Sequence, residues 1–75
     1  MRRYFFDLRI GNELGEDNEG ALLPDLEAVQ KEALRTLADA AKELLGFPTA
    51  VAIEVRDEDG PVMQARVVFE INRTN

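Results

Sequence analysis

The sequence predicts an α+β fold of two layers: a three-stranded, mainly antiparallel sheet with one long amphipathic helix packed on one face, in the chain order β-α-β-β. Three observations predict it. Apolar residues recur at helical spacing between Asp25 and Gly46; apolar and polar residues alternate through 3–10, 50–57 and 62–72; and glycine, proline or acidic clusters punctuate each junction.

In the helix, Leu26, Val29, Ala33, Leu37, Ala40, Ala41 and Leu44 fall in one stripe at about 100° per residue, widened by Leu34 and Leu45. Lys31, Glu32, Arg35, Asp39, Lys42 and Glu43 take the opposite side. Asp25 can accept from the free amides of the first turn, and Glu27 suits the positive end of the helix dipole. Gly46 permits the left-handed turn that ends a helix, and Pro48 prevents its resumption, so the helix is expected over 25–46.

In the first strand Tyr4, Phe6, Leu8 and Ile10 share one face and Arg3, Phe5, Asp7 and Arg9 the other. The stretch 11–24 is acidic and glycine-bearing, a loop or a poorly ordered hairpin return, and Leu22 and Leu23 either form a short edge strand or lie over one end of the core. In the second main strand Val51, Ile53 and Val55 alternate with Ala52, Glu54 and Arg56. After the Asp57-Glu58-Asp59-Gly60-Pro61 turn, the third sets Met63, Ala65, Val67, Phe69 and Ile71 against Val62, Gln64, Arg66, Val68 and Glu70. If the helix returns the chain to the sheet's starting end, the first two main strands run parallel; placing the third, the longest and most apolar, between them makes every pairing antiparallel and is preferred to placing the second there, which gives a right-handed parallel crossover.

Seventy-five residues make one domain, 1–75. Such a core supplies about 3–5 kcal/mol of net stability, and no cysteine or Cys/His set reinforces it, which leaves oligomerisation as the common remedy. The net charge of −6 argues against duplex nucleic acid and anionic membrane as partners. With no apolar signal core and no uncharged run of membrane-spanning length, the expected location is cytoplasmic.

There is no histidine, cysteine, serine or tryptophan, and both lysines, Lys31 and Lys42, lie on the solvated side of the helix. Nucleophile and base arrangements therefore lack their usual members, and the expectation is no enzyme activity, no catalytic residue and no cofactor. Asp17-Asn18-Glu19-Gly20 and Asp57-Glu58-Asp59 are rich in oxygen ligands without the spacing of a calcium loop, so no metal site is expected. Arginines and Phe5 on the outer face suggest a single-strand nucleic-acid platform, but the carboxylates among them point to cross-strand ion pairs instead. The candidate interface is this outer face, with Phe5, Val62, Val68, Arg66, Arg56 and Arg9. It is expected to meet a second copy face to face, with edge-to-edge pairing as the competing geometry.

Three stretches, Arg3-Tyr4-Phe5-Phe6-Asp7, Glu19-Gly20-Ala21-Leu22-Leu23-Pro24-Asp25-Leu26-Glu27-Ala28 and Val55-Arg56-Asp57-Glu58-Asp59-Gly60, followed by a Val-x-Phe-Glu strand, resemble a family of small uncharacterised proteins common in rhizobia and related alphaproteobacteria. The resemblance implies a bacterial, cytosolic setting and no activity. The overall plan is also similar to that of dodecins, small flavin-storing shells whose stacking tryptophan has no counterpart here. The Leu-Pro-Asp-Leu helix entry is similar to that of the antitoxin-like domains of HicB proteins. The reading is a non-enzymatic protein-interaction module that self-associates, with an antitoxin-like regulator of an unidentified partner protein, or a dodecin-like small-molecule binder, as the alternatives.

Overall fold

A computed structural model describes residues 1–44 and 50–74. Its elements are β1 (Arg2–Ile10), β2 (Glu13–Gly15), β3 (Ala21–Leu23), α1 (Leu26–Glu43), β4 (Ala50–Asp57) and β5 (Gly60–Val68). The architecture is α+β, with the helix packed on a mostly antiparallel sheet. The sheet has five strands rather than three, because the stretch read as an acidic loop forms two short strands, both antiparallel to β1.

That difference decides the topology. β2 pairs with the end of β1 (Ile10↔Glu13 to Leu8↔Gly15) and β3 with its beginning (Tyr4↔Ala21 to Arg2↔Leu23). The chain has thus already returned to the starting end of β1 before the helix begins. The helix carries it back up the sheet, and β4 descends antiparallel to β1, from Ile10↔Val51 to Phe5↔Arg56. The expected parallel direction of these two strands is wrong, and so is the preferred order. β4, not the last strand, stands between its neighbours in the series β2-β1-β4-β5. Val51, Ile53 and Val55 of β4 are 0–1% exposed, so the strand with the shortest apolar set takes the most buried position.

On the helix the buried seam is Val29, Ala33 and Leu37, spaced four residues apart, with Ala40 and Leu44 continuing it. It is narrower than the predicted stripe. Leu26 is 57% exposed in the first turn, and Leu34, at the stripe's edge, is 52% exposed. Asp25 caps the helix as expected, its Oδ1 accepting from Ala28 N at 2.8 Å. At the other end Leu44 N donates to Ala41 O at 3.1 Å in a non-helical conformation, so the helix stops ahead of Gly46. Gly46, Pro48 and Leu45 lie outside the described residues.

β5 ends at Val68 rather than 72: Val68 pairs with Ala50, the first residue of β4, and no described residue pairs with the strand beyond it. Near the strand's start the pairing passes from Arg56↔Pro61 to Val55↔Met63, leaving Val62 as the extra residue of a bulge. The bulge breaks the expected alternation, and Val62 and Met63 are both half-buried and pack against the core cluster.

Leu37 sits in the core cluster at 6% exposure, with Phe6 and Phe69 packed against that cluster. Leu37→Ala should cost about 2–5 kcal/mol in chemical denaturation, comparable with the whole stability of so small a domain. A variant with the parent's denaturation midpoint would show that the helix does not pack by this seam. Gly20 is a second sensitive point. Its φ is +70°, and a Cβ there would stand 2.8 Å from Tyr4 O and 3.0 Å from Phe5 Cδ1. Gly20→Ala should lower the denaturation midpoint more than an alanine at Gly15, where the nearest atom would be an ordinary 3.8 Å away.

Candidate functional site

The outer face, away from the helix, carries Phe5, Asp7 and Arg9 of β1 beside Arg56, Glu54 and Ala52 of β4. Asp7 and Glu54 are direct cross-strand neighbours of like charge. Each is relieved by a diagonal arginine. Arg56 donates from Nε to Asp7 Oδ2 at 2.8 Å, and Arg9 donates to both oxygens of Glu54. The Arg56 guanidinium also lies over the Phe5 ring, its Cζ 4.5 Å from the centroid, so Phe5 sits half-buried beneath a cation.

The centre of this face is a polar network joining it to the return strand. Asp7 is 6% exposed and is the one buried charged residue among those described. Its Oδ1 accepts from Asp17 N at 2.9 Å, and Arg56 Nη2 donates to Asp17 O at 3.0 Å. Asp17 in turn uses both carboxylate oxygens. Oδ2 accepts from Phe6 N at 3.0 Å, while Oδ1 accepts from Glu19 N and Gly20 N at 3.0 and 3.1 Å. The geometry explains the break between β2 and β3. Five residues, 16–20, stand opposite three, 5–7, and the Asp17 carboxylate replaces the strand carbonyl that Phe6 N would otherwise meet. Arg3 ties down the same loop by donating to Glu19 O at 2.7 Å.

The predicted interface residues therefore separate into groups. Phe5, Arg56 and Arg9 are engaged within the fold, in the cation–π contact and the two ion pairs. Val62 packs on the core beside the bulge. Arg66, opposite Ala52, and Val68, 57% exposed, remain on the surface of β5. The first acidic cluster is likewise turned to structural use, since the Asp17 oxygens are occupied by backbone amides. Among the described residues no group of three or more acidic side chains is placed to hold a metal ion. No described helix is long and apolar enough to cross a membrane. The residue that sequence reasoning missed is Asp17. Its signal was present in Asp17-x-Glu19-Gly20, an aspartate followed by a turn glycine, in a stretch weighed only as an oxygen-rich loop without the spacing of a cation site.

The fold and its outer face define a small α+β domain whose polar centre holds together a broken edge strand. Residues 3–68 match the family described as a domain of unknown function (DUF6894), and the chain belongs to that family. No curated protein matches the chain. No solved structure matches it either.

Burial pushes the Asp17 carboxyl up, but the amides of Phe6, Gly20 and Glu19, with Arg56, outweigh it and hold the group below its ordinary value of 3.8. Because the folded value lies below the unfolded one, the stabilisation is complete above about pH 3.8 and is lost as the pH falls through the depressed value. Asp17→Ala should cost about 1.5–3 kcal/mol at neutral pH, the range for hydrogen bonds to a charged acceptor. It should also flatten the acid limb of a stability profile measured by urea denaturation. An unchanged acid limb would show that another carboxylate governs it.

Proposed function

We propose that the protein is a non-enzymatic interaction module that self-associates, and that it does so through the edge of its sheet rather than its outer face. The observation that carries this reading is β5. It is a nine-residue strand at the end of the sheet order, with no neighbour on its outer side among the described residues. An unpaired edge of that length offers a row of backbone donors and acceptors to another strand. The exposed apolar side chains Leu34 and Val68 lie on α1 and β5, whereas on the outer face Phe5 is already covered by Arg56 and the charges are paired within the chain.

The bacterial, cytosolic setting implied by the sequence resemblance suits such a module, and a cytoplasmic location is proposed with it. Light scattering across a range of concentrations, with circular dichroism to confirm folding, should find a dimer. Phe5→Glu should leave that dimer intact. A parent chain that stays monomeric at high concentration removes the proposal. A folded Phe5→Glu variant that dissociates moves the contact back to the outer face.

A further inference from the structure

We infer that two copies of this chain join β5 to β5, antiparallel about a two-fold axis at Ala65, so that their sheets merge into one. The inference rests on the self-association proposed above and adds the partner surface and its register.

Among the described residues the sheet has two free edges, and they differ in what they offer. The edge beyond β1 is broken into two three-residue strands, and the loop between them and its flanks carries Glu13, Glu16, Asp17 and Glu19. Between Gly60 and Val68, by contrast, there is no carboxylate and a single charge, Arg66, and the nearest acidic residues in the chain, Glu58, Asp59 and Glu70, stand beyond the strand's two ends. Two chains of net charge −6 repel one another over most of their surfaces, and β5 is where an approaching copy meets least of that repulsion. At about 3.3 Å per residue the nine residues offer an edge of roughly 30 Å.

The register follows from the side chains. Pro61 has no N–H to give and Val62 is the extra residue of the bulge, which leaves Met63 to Val68 as the regular segment, with Ala65 and Arg66 at its centre. A two-fold axis at Arg66 would set two guanidinium groups directly opposite each other. At Ala65 it sets Gln64 opposite the partner's Arg66 on the outer face, a neutral acceptor against a cation. On the helix side it sets Met63 opposite the partner's Val67, and Ala65 opposite its own copy. Beside that alanine lies an open groove of about 370 Å³ along the β5 edge, bounded by Gln30, Ala33 and Leu34 of the helix and by residues 63–66 of β5. An added strand fills the groove, and the small side chain at the axis leaves room for Leu34 from both helices to cover it. The apolar layer then continues across the joint.

Gln64 provides the test, because within the chain it is the cross-strand neighbour of Glu54. Gln64→Lys places an attractive charge beside Glu54 but a repulsive one opposite the partner's Arg66. Gln64→Glu does the reverse. In this register Gln64→Lys weakens the dimer and Gln64→Glu tightens it, each by roughly two- to thirtyfold in dissociation constant for two symmetric pairs. Stability of the isolated fold moves in the opposite direction, so a general effect on folding cannot imitate the result. The chain has no cysteine, which permits a second measurement. Gln64→Cys and Arg66→Cys chains, mixed and oxidised, should give a disulfide-linked heterodimer well in excess of the homodimers formed by either variant alone. A parent dimer that responds to neither lysine nor glutamate, and whose mixed cysteine variants do not cross-link, overturns this register while leaving self-association in place. A monomeric parent overturns both.

Discussion

The structure depends on one aspartate standing in for a strand. A carboxylate that accepts from several backbone amides can satisfy an edge where the chain itself departs from the ladder. Asp17 does this at Phe6 N, and its main chain is gripped by Asp7 and Arg56. With that grip in place the return strand can bulge by two residues and still resume pairing with β1 at Ala21. The chain then reaches the beginning of β1, where Asp25 starts the helix, and the direction of β4 follows. Gly20 completes the device, since only a residue without a Cβ can pass so close to Tyr4 O at positive φ.

The network also divides the labour between stability and specificity. The apolar seam of Val29, Ala33 and Leu37 on Val51, Ile53 and Val55 supplies the driving force for folding, because it holds the apolar groups most completely removed from water. A partly buried ion pair such as Asp7–Arg56 adds less, since desolvating the Asp7 charge offsets much of the attraction. Its contribution is to select one arrangement of the return strand among several that the apolar residues alone would allow. The exposed pairs Glu27–Lys31 and Glu32–Arg35 on the helix lie in water and contribute little by comparison.

The same economy shapes the surface available to a partner. Arginines that looked free for recognition are consumed within the outer face, Arg56 by Asp7 and Phe5, Arg9 by Glu54. What has no neighbour among the described residues is main chain, along the outer side of β5, together with the exposed apolar side chains Leu34 and Val68. A domain of this size with no disulfide has a physical reason to use such an edge, because a shared sheet enlarges a small core without lengthening the chain.

Local pattern determined much of this protein. Period-two alternation identified the three long strands, four-residue spacing identified the helix, and Asp25 marked its beginning, because each signal is written within a few consecutive residues. The chemistry of the outer face was legible as cross-strand pairing of arginines and carboxylates for the same reason. Strand order and direction were not legible. They turned on whether residues 11–24 return along β1, and that was decided by contacts between Asp17 and residues ten or more positions away. The bulge at Val62 likewise reverses a side chain's face through one irregular pairing that no alternation pattern records. Periodicity reports which face of an element is apolar, whereas the path between elements depends on which distant polar groups can satisfy one another, and only the folded chain brings those together.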